Sequence, residues 1–284
     1  MTKSAISWDD KRAKPIPAAW VAPLKAWEEH LQAGGTPPAT MRTRLDHARR
    51  MARTLGVSPD EADTNALVTW VAGQRWQRET RRSVYTSIRA FWAFMVQAGY
   101  TATDAAASLP LVRPAEPSPR CLPEQAYQDA VAHADDRLRL ILRLAGEQGL
   151  RRGEIALVHA NDLVDDLAGV TLIVHGKGAK DRPVPLSDDV ARLVSEAVKA
   201  GGGWAFPGQQ DGHLSPEHVG VLASRALTPY SLHQCRHRFG TRAYLATNNL
   251  YALQRLLGHT SPVTTERYVT LPADALRATM LAAA

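Results

Sequence analysis

The stretch LPLVRPAEPSPRCLP, residues 109–123, most constrains how this chain folds, because it holds five prolines. Each proline removes a backbone N–H and fixes φ, so neither a helix nor a central strand runs through it. It reads as an extended linker, and the chain on either side must bury a core of its own. The expected organisation is a domain over 1–108, a linker over 109–122 and a second domain over 123–284. A chain of 284 residues with 45% hydrophobic and 22% charged residues has the material for two packed cores.

Periodicity separates the two parts. In the first, Trp20, Leu24, Trp27 and Leu31 recur at helical spacing over 18–33, and Gly34-Gly35 ends the run. Leu45, Met51 and Leu55 mark a helix over 38–55, and Asn65 to Gly73 a shorter one. Val84, Ile88, Trp92 and Met95 form one stripe over 79–98. The second part is mixed, with helices expected at 123–133 and 135–148. VTLIVHGKGAKDRPVPL, 170–186, is apolar on both sides of a Gly-Lys-Gly turn, which is a β-hairpin signal. Helices follow at 187–200, 214–227, 231–247, 250–258 and 261–269; Ser187 and Ser215 are the expected N-caps of the first two. The fold class expected is mainly α with a small antiparallel β-sheet.

No apolar run approaches the length of a membrane helix, and the N-terminus has no apolar leader core. The two cysteines, Cys121 and Cys235, lie far apart and outside any metal-ligand spacing. Both facts point to a reduced cytoplasm. The net charge is +6, and its distribution says more. Residues 1–118 hold 16 Lys+Arg against 11 Asp+Glu, whereas 119–284 hold 18 against 17. A basic first part suits a polyanion, and simple solubility explains the charge equally well. Arg42, Arg44, Arg49, Arg50 and Arg53, then Arg78, Arg81, Arg82 and Arg89, lie off the apolar stripes. Such arginines can meet a row of phosphates, or merely solvate a helix face.

Four stretches in the second part carry more polar equipment than packing needs. In GLRRGEI, Arg151 follows a glycine stop, and Glu154 can hold its guanidinium. In GKGAKDR, Lys177 sits at a hairpin tip. In SLHQCRHRFGT, His233 and Arg236 share a helix face, with His237 as a turn-mate. In LQRLLGHTSPVTTERYV, His259 and Tyr268 flank a Ser-Pro break. Taken singly, each has a packing or solvation explanation. Together, two arginines, a lysine, two histidines and a tyrosine suit a phosphoryl-transfer transition state, where catalysis is positioning and charge stabilisation.

In this order and spacing, the set resembles the tyrosine recombinases of the phage-integrase family. Their pattern is G-L-R-x-x-E-[LI], a hairpin lysine, H-x-x-R, L-G-H, and a tyrosine about nine residues later. The resemblance covers nearly the whole chain. It implies a helical core-type DNA-binding domain over 1–108 and an α+β catalytic domain over 123–284. It implies that Tyr268 attacks a DNA phosphate, forming a 3′-phosphotyrosyl link and freeing a 5′-hydroxyl. Arg151 and Arg236 would clamp the non-bridging oxygens, and His259 would donate a further hydrogen bond. Lys177 would act as general acid, His233 as general base, and Glu154 would buttress Arg151. Arg42, Arg44, Arg49, Arg78, Arg82 and Arg89 are the expected contacts to DNA. No cofactor and no metal is implied.

The expected partners are double-stranded DNA core sites, further copies of the chain forming a tetramer on DNA, and an accessory directionality or DNA-bending protein. Relatives in the family pass a C-terminal segment to a neighbouring protomer, so the tail 271–284 either does this or packs on its own domain. The expected role is phage or prophage integration. An Xer-type dimer resolvase, a non-cleaving regulator derived from a recombinase, and a type IB topoisomerase are the alternatives.

Overall fold

Apolar residues that recur every three or four positions give the first part its helices. The computed structural model describes residues 15–114, 122–167, 169–176, 180–259, 265 and 280–281. Lys177, Tyr268, all but Thr265 of the helix expected over 261–269, and all but Met280 and Leu281 of the tail lie outside the described residues. The chain divides into two compact units, Met1–Glu116 and Pro117–Ala284, so the division falls inside the proline-rich stretch.

The first unit is built from α1 (Ala18–Ala33), α2 (Pro38–Thr54), α3 (Thr64–Ala72) and α4 (Arg78–Gln97). Trp20, Leu24, Trp27 and Leu31 of α1 are buried against Phe91, Trp92 and Met95 of α4 and Leu45 and Met51 of α2 in one apolar cluster. Removing such side chains from water stabilises the unit by about 2 kcal/mol each. Trp20 keeps its polar atom satisfied, donating Nε1–H to the Val57 carbonyl at 3.0 Å. Asp63 caps α3, its carboxylate accepting from the Ala66 amide at 2.7 Å.

The second unit opens with α5 (Glu124–Ala132) and α6 (Asp136–Gly146). Then come the short α7 (Arg152–Ala156), a 3₁₀ turn at Ala160–Asp162, and the strands β1 (Leu163–Asp166), β2 (Gly169–Gly176) and β3 (Lys180–Pro185). They form one antiparallel sheet in the order β1-β2-β3. The expected hairpin is β2–β3. The extra strand β1 lacks an alternating apolar signal, since Val164 is exposed; backbone pairing of Leu163 with Leu172 through Asp166 with Gly169 makes it. The remaining elements are α8 (Asp188–Ala200), β4 (Pro207–Gln210), α9 (Pro216–Leu227), α10 (Leu232–Thr247) and α11 (Leu250–Leu257). Ser215 caps α9 by accepting from the His218 amide, whereas Ser187 holds the N-cap position of α8 without a side-chain bond.

Leu140, Ile141, Leu144 and Ala145 of α6 lie in the middle of the core, with Ile155 of α7, Val174 of β2 and Cys235 of α10. Arg238 of α10 crosses to the start of the unit. It forks onto both Glu124 carboxylate oxygens at 2.8 and 2.7 Å and lies 3.8 Å from the Tyr127 ring centre. Its Nη1 also donates to the Gly146 carbonyl at 2.8 Å. The hydrogen bond from Arg238 is the main reason the Glu124 carboxyl is held at about 2. This brace fixes α10, the helix that carries His233 and Arg236. Among the described residues, no helix is long and apolar enough to cross a membrane.

Candidate active site

Gly149 sets the first side chain of the site. Its φ of +69° is a left-handed conformation, and a Cβ there would come within 2.5 Å of the Phe239 ring. Only glycine satisfies both demands. The turn closes with the Leu150 amide on the Leu144 carbonyl and delivers Arg151 to the N-cap of α7. The Arg151 amide donates to Glu154 Oε2 at 2.8 Å, and its Nη1 donates to Oε1 at 2.7 Å.

Glu154 is the hub of the site. It is buried, and besides Arg151 it receives a fork from Arg182, Nη1 to Oε1 at 3.0 Å and Nη2 to Oε2 at 2.8 Å. Arg236 Nη1 stands 3.7 Å from Oε2. Burial alone would raise the carboxyl pKa. The bonds and charge of Arg182, then the bonds from Arg151, outweigh it and hold the group at about 2. Three guanidinium groups around one carboxylate leave an excess of positive charge, which suits an anion.

Arg236 is almost completely enclosed, at 1% exposure. It donates to the Gly149 carbonyl, to the Leu257 carbonyl at 2.6 Å, and to His259 Nε2 at 3.1 Å. These bonds join both glycine turns, because α11 ends at Leu257 and Gly258 follows with a φ of +63°. His259 therefore enters the cluster rather than continuing the helix.

The His259 tautomer follows from its partners. A guanidinium only donates, so Nε2 is the acceptor and the proton sits on Nδ1, which donates to Thr265 Oγ1 at 3.0 Å. Burial, then the charges of Arg236, Arg151 and Arg182, hold its pKa at about 3, so the ring is neutral at pH 7. His233 is exposed at the same helix face as Arg236. Burial of part of the ring and the charges of Arg236 and Arg151 lower its pKa, leaving it unprotonated and able to accept a proton. The His237 ring meets it edge-on at 4.7 Å; burial, His233 and Arg236 bring His237 to about 4.

A cleft of about 890 Å³ opens over this group, lined by Arg151, His233 and Arg236 together with Arg152, Glu217 and Arg225. Of the expected site residues, the structure thus gathers Arg151, Glu154, His233, Arg236 and His259. Lys177 and Tyr268 lie outside the described residues. Arg182 belongs to the cluster and was not expected. Its signal was the alternation Arg182, Val184, Leu186, which places it on the inward face with two apolar residues.

The first unit treats its expected DNA contacts unequally. Arg42, Arg78 and Arg82 are exposed, Arg82 pairing with Glu79 at 3.0 Å, and Arg44 is half-buried. Arg49 is a correction: it is 4% exposed and pairs with Glu28 at 3.4 Å, so it is tied inside the helical core and does not present a free cation. Arg89 is half-buried and donates to the Leu109 and Pro110 carbonyls, holding the chain where it leaves the unit. Among the described residues, no group of three His, Cys, Asp or Glu side chains could hold a metal ion.

Residues 120–274 match the phage integrase family. The sequence is 29% identical over 255 residues to tyrosine recombinase XerD of Rhizobium meliloti, across 79% of this chain and 81% of that one. It is 28% identical over 283 residues to tyrosine recombinase XerC of Vibrio parahaemolyticus, across 90% and 91%. The fold is similar to that of the lambda integrase tetramer bound to a Holliday junction. The TM-score is 0.73 at 17% identity, covering 88% of this chain and 76% of that one.

Proposed function

This chain belongs to the phage integrase family of tyrosine recombinases, and from that premise we propose that Arg151, Lys177, His233, Arg236, His259 and Tyr268 cut and rejoin DNA at a specific site. The observation that carries this assignment is the enclosure of Arg236. Its guanidinium joins Glu154, both glycine turns and His259 beside a cleft that Arg151 and His233 also line.

The Tyr268 hydroxyl attacks the scissile phosphorus. A bond from the phenolic oxygen to phosphorus forms, the bond to the 5′ oxygen breaks, and the 3′ end stays attached to the protein. A phenol ionises near 10 in water, so proton removal needs help at pH 7. Unprotonated His233 supplies it, and Lys177 gives a proton to the departing 5′ oxygen. Arg151 and Arg236 hold the non-bridging oxygens, with Glu154 fixing both guanidinium groups. His259 acts here through Arg236, whose Nη2 it accepts. It donates to the phosphate only after Nε2 exchanges that acceptor role for a proton. Reversal with a new 5′-hydroxyl joins the strands without an external energy source.

Residues 1–108 act as the DNA-binding domain, 109–122 as linker and 123–284 as the catalytic domain. The exposed Arg42, Arg78 and Arg82 contact phosphates, as does Arg44. Four copies assemble on paired core sites in the host cytoplasm, with an accessory protein setting direction. The biological role is phage or prophage integration. A second reading, Xer-type resolution of chromosome or plasmid dimers, is favoured by the similarity to XerD and XerC over most of the chain.

The test uses a pool of nicked duplexes with a randomised core. The full-length chain is expected to yield a protein–DNA adduct that survives a denaturing gel and is absent with Tyr268→Phe. Specific binding to a selected duplex without adduct would favour a non-cleaving regulator.

A further inference from the structure

Arg182 stands where strand alternation calls for an apolar side chain. On β3, Arg182 and Val184 are the inward positions, and Arg182 pairs across the sheet with Val174, itself buried. A cation on a core face is costly unless every part of it is engaged. Here Nη1 and Nη2 fork onto the two Glu154 oxygens, and Nε donates to the Leu256 carbonyl at 2.7 Å. The side chain also lies over Gly258, where an added Cβ would come within 3.0 Å of Arg182 Cδ and Nη1.

One side chain therefore ties together three pieces of the site. β3 begins at Lys180, three residues beyond Lys177. α7 has Arg151 as its N-cap and carries Glu154. The last turn of α11 leads through Gly258 to His259. We propose that Arg182 is a positioning residue for phosphoryl transfer. It occupies the Glu154 carboxylate so that Arg151 and Arg236 stay turned toward the cleft, and it locks the His259 turn to β3. This rests on the recombinase reading above. Without Arg182, the carboxylate is left to Arg151 at 2.7 Å and Arg236 at 3.7 Å. Each guanidinium drawn further onto it is drawn away from a phosphate.

The test compares the full-length chain with Arg182→Met and Arg182→Lys. The rate of single-turnover adduct formation and the affinity for the same duplex are measured, on a nicked duplex selected from the randomised pool. Arg182→Met is expected to slow adduct formation about 100-fold, the scale of a small misplacement of reacting groups, with duplex affinity retained. Arg182→Lys restores charge without the fork and recovers part of the rate. In both variants a further acid-side loss, below the limb that His233 sets, moves to higher pH, because Glu154 has lost its principal partner; a merely structural loss lowers the rate equally at every pH. Wild-type rates in both variants overturn the inference. So does a loss that is uniform in pH and matched by the loss of folded protein. If Arg182→Met does not fold, Arg182→Lys decides alone, and a wild-type rate and pH profile in it overturn the inference. An unaltered chain that forms no adduct overturns the recombinase reading as well. An active parent with indifferent variants overturns only the role of Arg182.

Discussion

Arg42 and Arg78 stand in water on the first unit, whereas Arg182, Arg236 and Arg238 are enclosed in the second. The enclosed groups are each held by a carboxylate or by backbone carbonyls, often both. Exposed Arg82 has a surface pair with Glu79, both side chains about half open to solvent. An exposed arginine costs little to keep and interacts through a screened field, so a row of them can grip a polyanion by addition. A buried arginine is expensive unless its geometry is fixed, and fixed geometry is what a developing charge on a reacting phosphate requires. Arg49 shows that the first unit also buries a cation, paired there with Glu28.

The largest effect expected from this contrast is at Arg236. Arg236→Ala should abolish detectable adduct and destabilise the second unit by about 3–5 kcal/mol, the cost of breaking a buried charge network. Arg42→Ala, at a surface site, should change stability by no more than about 0.5 kcal/mol. Denaturant unfolding of both variants checks this. Equal stability losses would break the distinction between the units.

Acid sensitivity is the next effect. Glu154 has a folded pKa of about 2 against an ordinary 4.5. Its contribution is fully present above 4.5 and is lost as pH falls toward 2, an effect of roughly 3 kcal/mol. Urea midpoints measured in steps from pH 6 down to pH 2 should therefore fall, more steeply than in Glu154→Gln. That variant should start lower at pH 6, because its buried arginines lose a charged partner, and vary less with pH. A parent and variant with parallel curves would show that Glu154 is not held by its arginines.

The smallest effect is at the surface. Arg42→Ala and Arg78→Ala should each weaken duplex binding modestly and reduce the salt slope by about 1. Arg49→Met should leave the slope alone and lower stability instead. Salt titrations of binding distinguish the three, and a slope change at Arg49 would return it to the DNA-contacting set.

Much of this was legible before the fold was known, for reasons that differ by element. The α1 and α4 stripes could be read because Trp20, Trp27, Ile88 and Trp92 repeat at helical spacing and every one is buried. Arg151, Arg236 and His259 could be read because two glycines and a helical i, i+3 spacing sit beside them. β1 could not, because an edge strand with Val164 exposed is decided by its partner's backbone and not by its own pattern. Arg49 and Arg89 were misplaced because helical phase tells which side chain leaves the apolar stripe, not whether an acid or a carbonyl waits there. Arg182 was overlooked because an inward charge looks like a surface charge until the register is known; pairing with Val174 makes it inward.

The central claim is that the cluster organised by Glu154 presents one phosphate to Tyr268, and the most direct measurement is the position of the covalent bond. The adduct formed on a labelled nicked duplex is digested with nuclease and trypsin, and the nucleotide-bearing peptide is identified by mass spectrometry. The account predicts the remnant on YVTLPADALR, residues 268–277, attached to Tyr268. A nucleotide on the peptide spanning 243–255, which carries Tyr244 and Tyr251, or on any residue other than a tyrosine, would contradict it.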